Sequence, residues 1–168
     1  ILKTQNIVSK PGGSVYVDDT TSVNRIFDGR LSYDKGAMVI SMLRYVVGDS
    51  AFFQGLTNYL SDPSLAGGYA RTADLQQHLE AGSGKNLSTF FNQWVYGEGY
   101  PTYNFSWGQN GNTVTIEVNQ SQSHPSVSFY EMPLPVKLEG QGLDTILRLE
   151  NTTNRQVFSL NIPFTVSN

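Results

Sequence analysis

The spacing of apolar residues changes period near Gly97-Glu98-Gly99-Tyr100-Pro101. Before that string they recur at helical spacing, and after it they alternate. A helix buries a stripe and a strand buries one side of a pleat, so no single element satisfies both patterns. The chain is therefore expected to be α+β, with a small helical block over residues 1–100 and an antiparallel β-sandwich over 101–168.

Residues Ile1 to Leu31 follow neither period, and Pro11-Gly12-Gly13 and Asp28-Gly29 punctuate them as turns. An irregular lead-in with a short strand at Ser14 to Val17 is expected. A first helix should run from about Ser32 to Val47. There Ala37, Met38, Val39, Ile40, Met42, Leu43, Val46 and Val47 lie on nearly all sides, which predicts a buried helix. Gly48 stops it and Asp49 can cap the next. That second helix carries Phe52, Phe53, Leu56, Tyr59 and Leu60. A third is expected to take Thr72 as its N-cap, to bury Leu75 and Leu79, and to end at Gly82. The last helix starts near Asn86 or Ser88 and buries Leu87, Phe90, Phe91, Trp94 and Val95.

Beyond Thr102, Val114, Ile116 and Val118 face one way while Thr115, Glu117 and Asn119 face the other. Asn110-Gly111 marks a hairpin turn. Leu134, Val136 and Leu138 alternate, as do Phe158, Leu160, Ile162 and Phe164. About six short strands fit a small sandwich, with Pro133, Pro135 and Pro163 at edges or bulges.

Composition removes several functions. A net charge of −3, with 15% charged residues, lacks the basic footprint of a nucleic-acid binder. No stretch approaches the roughly 18 consecutive apolar residues of a membrane span. Cysteine is absent, which excludes disulfides, thiolate metal sites and cysteine nucleophiles. The wealth of Gly, Ser, Thr, Asn and aromatics leans towards a secreted or cell-envelope protein. The chain starts with Ile and shows no leader pattern, so it is expected to be excised from something longer.

Local motifs add little. His78 and His124 are the two histidines, and neither belongs to an HExxH. His78 is expected on a helix surface, and His124 in a loop without a partner. Gly82-Ser83-Gly84-Lys85 is better read as a helix end than as a phosphate loop. Asp18-Asp19 reads as a pair of solvated acids in a turn.

One string carries more. Tyr33-Asp34-Lys35-Gly36-Ala37-Met38-Val39 resembles the Tyr-x-Lys-Gly-Ala signature of aminopeptidase N-like zinc metallopeptidases, the gluzincin aminopeptidases. The likeness continues in order through Gly48-Asp49, Phe52-Phe53, Gly55-Leu56, Tyr59-Leu60, Asp74-Leu75, Phe90-Phe91-Asn92-Gln93-Trp94 and Gly99-Tyr100-Pro101. Gln120-Ser121-Gln122 and Met132-Pro133-Leu134-Pro135-Val136 extend it into the β part. The resemblance implies the C-terminal helical part of a thermolysin-like domain followed by its β-sandwich.

It also implies a zinc-dependent hydrolase that removes amino-terminal residues from peptides. Zinc would polarise the scissile carbonyl, and the HExxH glutamate would activate water. The oxyanion that forms needs a further donor. A tyrosine hydroxyl, with a reference pKa of about 10, can supply it at neutral pH. Tyr33 takes that catalytic role by motif match. Lys35 and Gly36 are expected to provide surface charge and close backbone approach, outside the catalytic list. Neither the HExxH nor the third ligand Glu occurs here, so this segment is expected to bind no zinc and to be inactive alone. Its expected partners are the upstream zinc-binding part of the same chain and a peptide substrate. Without that neighbour, an apolar face on the first helix or the lead-in should be exposed, buried by dimerisation in isolation. The competing reading is a non-catalytic binding or scaffolding module with the same fold.

Overall fold

The computed structural model describes the backbone of residues 2–167 and the side chains of residues 4–167. Ile1, the first residue of the expected irregular lead-in, lies outside the described residues. The chain divides into two compact units, Ile1–Glu98 and Gly99–Asn168. The first is helical and the second is built of antiparallel strands in two sheets, so the fold is α+β.

The lead-in departs from the sequence reading. It contains two short helices, α1 (Leu2–Ile7) and α2 (Val23–Ile26), and no strand at Ser14 to Val17. A strand needs a ladder of partners, and this stretch has a backbone bond only from Tyr16 N–H to Val95 O, at 2.9 Å. Half-buried guanidinium groups hold it instead. Arg30 donates to the carbonyls of Ile7 at 3.3 Å and Gly12 at 3.0 Å. Arg25 donates to the carbonyls of Ser14 and Tyr16 and pairs with Asp18. That pairing, through its hydrogen bond, holds the Asp18 carboxyl below the usual range. Asp18 is thus a partnered acid.

The first long helix starts later than expected. Residues Gly29–Lys35 wind as a wider π-helical turn, and α3 (Gly36–Val47) follows directly. Asp28 sets up the turn, its carboxylate accepting from Leu31 N–H at 2.7 Å and its carbonyl from Ser32 N–H at 2.9 Å. The expectation of burial on nearly all sides is corrected. α3 buries Val39, Leu43 and Val47, one stripe at a spacing of four, while Ala37 and Ile40 face solvent. Met38, Met42 and Val46 flank that stripe and are half-buried, so coverage falls away towards the Ala37 and Ile40 side.

Gly48 ends α3, and Asp49 opens α4 (Asp49–Ser61) as a helical residue, not as its cap. The Asp49 carboxylate instead accepts from Arg44 Nε at 2.8 Å and Nη2 at 2.6 Å. Phe52 and Gly55 are buried, whereas Phe53 and Leu60 of the expected stripe point outward. α5 (Thr72–Ser83) packs so closely on α4 that a Cβ at Gly55 would lie 2.8 Å from Leu79 Cδ2. Thr72 is the first helical residue and not the cap; Arg71 N–H precedes it and donates to Asp74 at 2.7 Å. α5 is capped at its C-terminus by Gly84, in the left-handed conformation with φ 67°, two residues beyond the expected Gly82. Gly82 serves the contact with α4, where its Cβ would come 3.3 Å from Ala51 O. α6 (Ser88–Phe91) then runs into a second π-helical turn, Asn92–Tyr96. Leu87, Phe90, Phe91, Trp94 and Val95 are all buried, as their spacing predicts.

The second unit contains five strands among the described residues, one fewer than expected. They are β1 (Pro101–Asn110), β2 (Thr113–Gln122), β3 (Met132–Gly140), β4 (Leu143–Asn151) and β5 (Gln156–Asn161). One sheet has the order β1-β2-β5 and the other pairs β3 with β4. Val114, Ile116 and Val118 are buried from β2, and Met132, Leu134 and Leu138 from β3. Gln120 continues the β2 stripe. Its amide donates to Tyr130 O at 2.9 Å and accepts from Tyr130 N–H at 2.8 Å, pinning the segment before β3. Ile162, Phe164 and Val166 keep alternating inward after β5 has ended. Pro163 has no N–H for a ladder, and side chains take over: Gln109 Oε1 accepts from Val166 N–H at 2.8 Å. The tail crosses so near β3 that a Cβ at Gly140 would fall 1.9 Å from Thr165 O. No single helix among the described residues is long and apolar enough to cross a membrane.

Candidate functional site

Tyr33 stands near the end of the π-helical turn, immediately before α3. It is 57% exposed, and its hydroxyl has no hydrogen-bond partner among the described residues. Its place therefore follows from the backbone beneath it. Leu31 anchors that backbone inward, 7% exposed, with a methyl that a Cβ at Gly13 would meet at 2.7 Å. Asp34 is tied to the lead-in, its carboxylate accepting from Asn6 Nδ2 at 2.7 Å.

Lys35 corrects the sequence reading most sharply. Expected to carry surface charge, it is 4% exposed. Its ammonium donates to Gly13 O at 2.7 Å and to Gly97 O at 3.4 Å. Burial pushes its pKa down to about 8; the nearby Arg30 charge acts the same way, and Glu98 opposes them. Glu98 Oε2 accepts from Gly13 N–H at 2.9 Å, so Gly13 of the lead-in is held at both its N–H and its carbonyl. The sequence held a sign of this. Leu31, Lys35, Val39, Leu43 and Val47 recur every four residues, which places Lys35 on the buried stripe. Gly36 is also corrected: a Cβ there would meet Val15 at 3.8 Å, ordinary contact rather than close approach.

Beside α3 lies a cleft of about 390 Å³, lined by apolar groups including Val15, Val39, Leu43, Leu75 and Phe91. Tyr33 does not line it, so the tyrosine hydroxyl and this apolar cleft are separate features. Val23, Phe27, Tyr33 and Ile40 are exposed on the lead-in and α3, 68%, 62%, 57% and 40% respectively.

The histidines differ from expectation. His78 is half-buried, with Nδ1 2.7 Å from Asp74 O, Nε2 3.1 Å from Asp62 Oδ2, and its ring edge-on to Tyr59. His124 has a partner too, accepting from Ser126 N–H at 3.3 Å. Neither joins a metal-ligand set. Among the described residues no group of three His, Cys, Asp or Glu side chains could share an ion. The donor chemistry present here does not fit zinc, and no step is assigned to a metal on these residues.

Residues 3–94, more than half of the chain, match the Peptidase family M1 domain. The chain belongs to peptidase family M1. Enzymes of this family are zinc-dependent in general. Similar sequences include the "Probable aminopeptidase 2" of Sulfurisphaera tokodaii, 28% identical over 137 residues, covering 80% of this chain and 17% of the relative. The "Alanine/arginine aminopeptidase" of Saccharomyces cerevisiae is 27% identical over 157 residues, 88% of this chain and 18% of the relative. The rice protein "Aminopeptidase M1-A" is 38% identical over 90 residues, 54% of this chain and 10% of that one. This M1 chain thus spans under a fifth of the length of the curated relatives it matches. The crystal structure of Legionella pneumophila aminopeptidase A, in complex with aspartic acid, superposes with a TM-score of 0.66. That match covers 87% of this chain and 17% of the other, at 18% identity, and so concerns the fold alone.

Proposed function

We propose that this M1 chain is part of a zinc-dependent aminopeptidase that hydrolyses amino-terminal residues from peptides, with Tyr33 as its oxyanion donor. The helical unit then belongs to the C-terminal part of a thermolysin-like domain, and the strands to the sandwich that follows it. The zinc ligands come from the upstream part of the same chain, and the exposed apolar residues around Tyr33 and Ile40 face it. The observation that carries the reading is the state of Tyr33: a half-exposed phenol without a partner among the described residues, on a backbone fixed from beneath. A donor that must meet charge developing in a transition state works best when already oriented and not bonded elsewhere. When the scissile carbonyl becomes tetrahedral, the Tyr33 O–H donates to its oxygen and keeps its own proton. The aminopeptidase names of the relatives support the substrate class.

The test is zinc content and peptidase turnover of the full-length protein, with Tyr33 intact and with Tyr33→Phe. Turnover should fall about a hundred- to a thousandfold in the variant while bound zinc is unchanged. Unchanged turnover would remove Tyr33 from the mechanism. A full-length protein that neither binds zinc nor cleaves would leave the fold as a binding or scaffolding module.

A further inference from the structure

We propose that Lys35 is a positioning residue for Tyr33: its ammonium, tied to the carbonyl oxygens of Gly13 and Gly97, holds the turn that presents the tyrosine hydroxyl. The inference rests on the reading of Tyr33 as oxyanion donor.

With no hydrogen-bond partner for its hydroxyl among the described residues, Tyr33 depends for its placement on the backbone of Gly29–Lys35 and the start of α3. Asp28 fixes the beginning of that turn through Leu31 N–H. Leu31 packs its middle on Gly13. Lys35 fixes its end, and two residues from Tyr33 its side chain leaves the opposite face of the winding. It alone among these residues bonds both to the lead-in, at Gly13, and to the stretch after the second π-helical turn, at Gly97. Gly13 is in turn held by Glu98. The Tyr33 turn is thereby clamped between two segments distant in sequence.

A lysine is a costly choice for such a place. The other members of its stripe, Leu31, Val39, Leu43 and Val47, are apolar, and an apolar side chain there would avoid burying a charge. The depressed pKa of Lys35 records that penalty. An ammonium offers something an apolar side chain cannot, namely directed donors that select one register of the turn over neighbouring ones. A displacement of about 1 Å in a group facing the reacting atoms can change turnover about a hundredfold. Register is therefore worth an unfavourable burial at this position and at few others.

The experiment is a cycle in the full-length protein with Lys35→Met, Tyr33→Phe and the double variant, read by kcat and KM separately. Amide exchange is followed in the zinc-free forms. Lys35→Met should lower kcat about ten- to a hundredfold with little change in KM. In the Tyr33→Phe background it should change kcat by less than about twofold, because the group it positions is gone. Amides of Gly29–Lys35 should exchange faster while those of α5 keep their protection. A full loss of kcat in the Tyr33→Phe background, or exchange rising equally in α5, would overturn the proposal and leave Lys35 as general support for the fold. Should Tyr33→Phe by itself leave turnover intact, it is the oxyanion reading that falls, and the exchange pattern still decides whether Lys35 holds the turn. If Lys35→Met does not fold, Lys35→Leu, which matches the apolar members of its stripe and likewise carries no donor, takes the same measurements and the same criteria.

Discussion

Each unit places one polar side chain on an otherwise apolar buried stripe, and the two do so differently. In the sheet unit Gln120 follows Val114, Ile116 and Val118, and its neutral amide exchanges two hydrogen bonds with the backbone of Tyr130. In the helical unit Lys35 interrupts Leu31, Val39, Leu43 and Val47 with an ammonium. Gln120 meets backbone groups at little electrostatic cost. Lys35 does similar work against desolvation and against the nearby Arg30. Local rules are expected to break where function needs a fixed arrangement, and the break here lies beside Tyr33. The two tryptophans, Trp94 and Trp107, fall one in each unit, so Trp94→Phe and Trp107→Phe backgrounds report the units separately.

The steepest difference in stability should come from two glycines. Gly140→Val puts a side chain against the Thr165 carbonyl, 1.9 Å from where its Cβ must sit, and should destabilise the sheet unit by about 4 kcal/mol or more. Gly36→Ala, at the start of α3 with only ordinary contacts, should be neutral or stabilise the helical unit by up to about 1 kcal/mol. Urea unfolding followed by Trp107 and Trp94 emission reads the pair. A severe loss from Gly36→Ala would restore the close approach that the geometry denies.

Next in size is the contrast between the faces of α3. Leu43, 1% exposed, should cost about 3 kcal/mol on truncation to Ala, while Ile40→Ala should stay within about 0.5 kcal/mol in this chain. Equal losses would mean that the helix is covered on both sides, by a second copy of the chain or otherwise. Running the same melts over a range of protein concentrations separates that case.

The alkaline range should distinguish Lys35 next. Its folded pKa, about 8, lies below the ordinary 10.5, so the unfolded chain holds that proton more tightly. Stability relative to Lys35→Met should therefore rise as pH climbs from about 8 to 10.5, by on the order of 3 kcal/mol. Urea melts of the two proteins across that range, read at Trp94, check it. A flat difference would mean that the buried ammonium is solvated in some way the fold does not provide.

Much of this arrangement was legible in the sequence, for reasons that differ along the chain. The alternation of β2 and the Phe90, Phe91, Trp94 cluster follow directly from burial, so periodicity found both. The lead-in departs from its sequence pattern because half-buried guanidinium groups, Arg25 and Arg30, take the place of a ladder, and no local pattern announces such long-range bonds. The π-helical turn is hidden for a related reason: Asp28, Leu31 and Lys35 anchor it, and the contacts of Lys35 reach Gly13 and Gly97, distant in sequence. Tyr33 became a candidate through motif order alone; nothing in its own environment beforehand separates it from a structural aromatic. Lys35 is visible as the fourth-residue partner of Leu31 and Val39, but the usual link between charge and exposure points the other way. The hairpin turn at Gln141-Gly142, both with positive φ, likewise has no signal at Gln141, a residue that seldom adopts that conformation.

The smallest effect separates the two lysines most cleanly by its sign. Lys137 on β3 is exposed and bonds Glu139 and Asp144, and these partners raise its pKa, Glu139 first. Its contribution is present below the ordinary lysine value and is lost as pH rises through the higher folded one, the reverse of Lys35. Being at the surface, it should also shrink in high salt, which a buried group resists. Lys137→Met compared with the unchanged chain, followed at Trp107 at low and high ionic strength, should show a small gap that closes at alkaline pH. For Lys35→Met at Trp94 the gap should instead shift in favour of the lysine as pH rises, with little response to salt. If both gaps moved in the same direction, burial would not be what distinguishes the two ammonium groups, and the cost invoked for Lys35 would lose its basis.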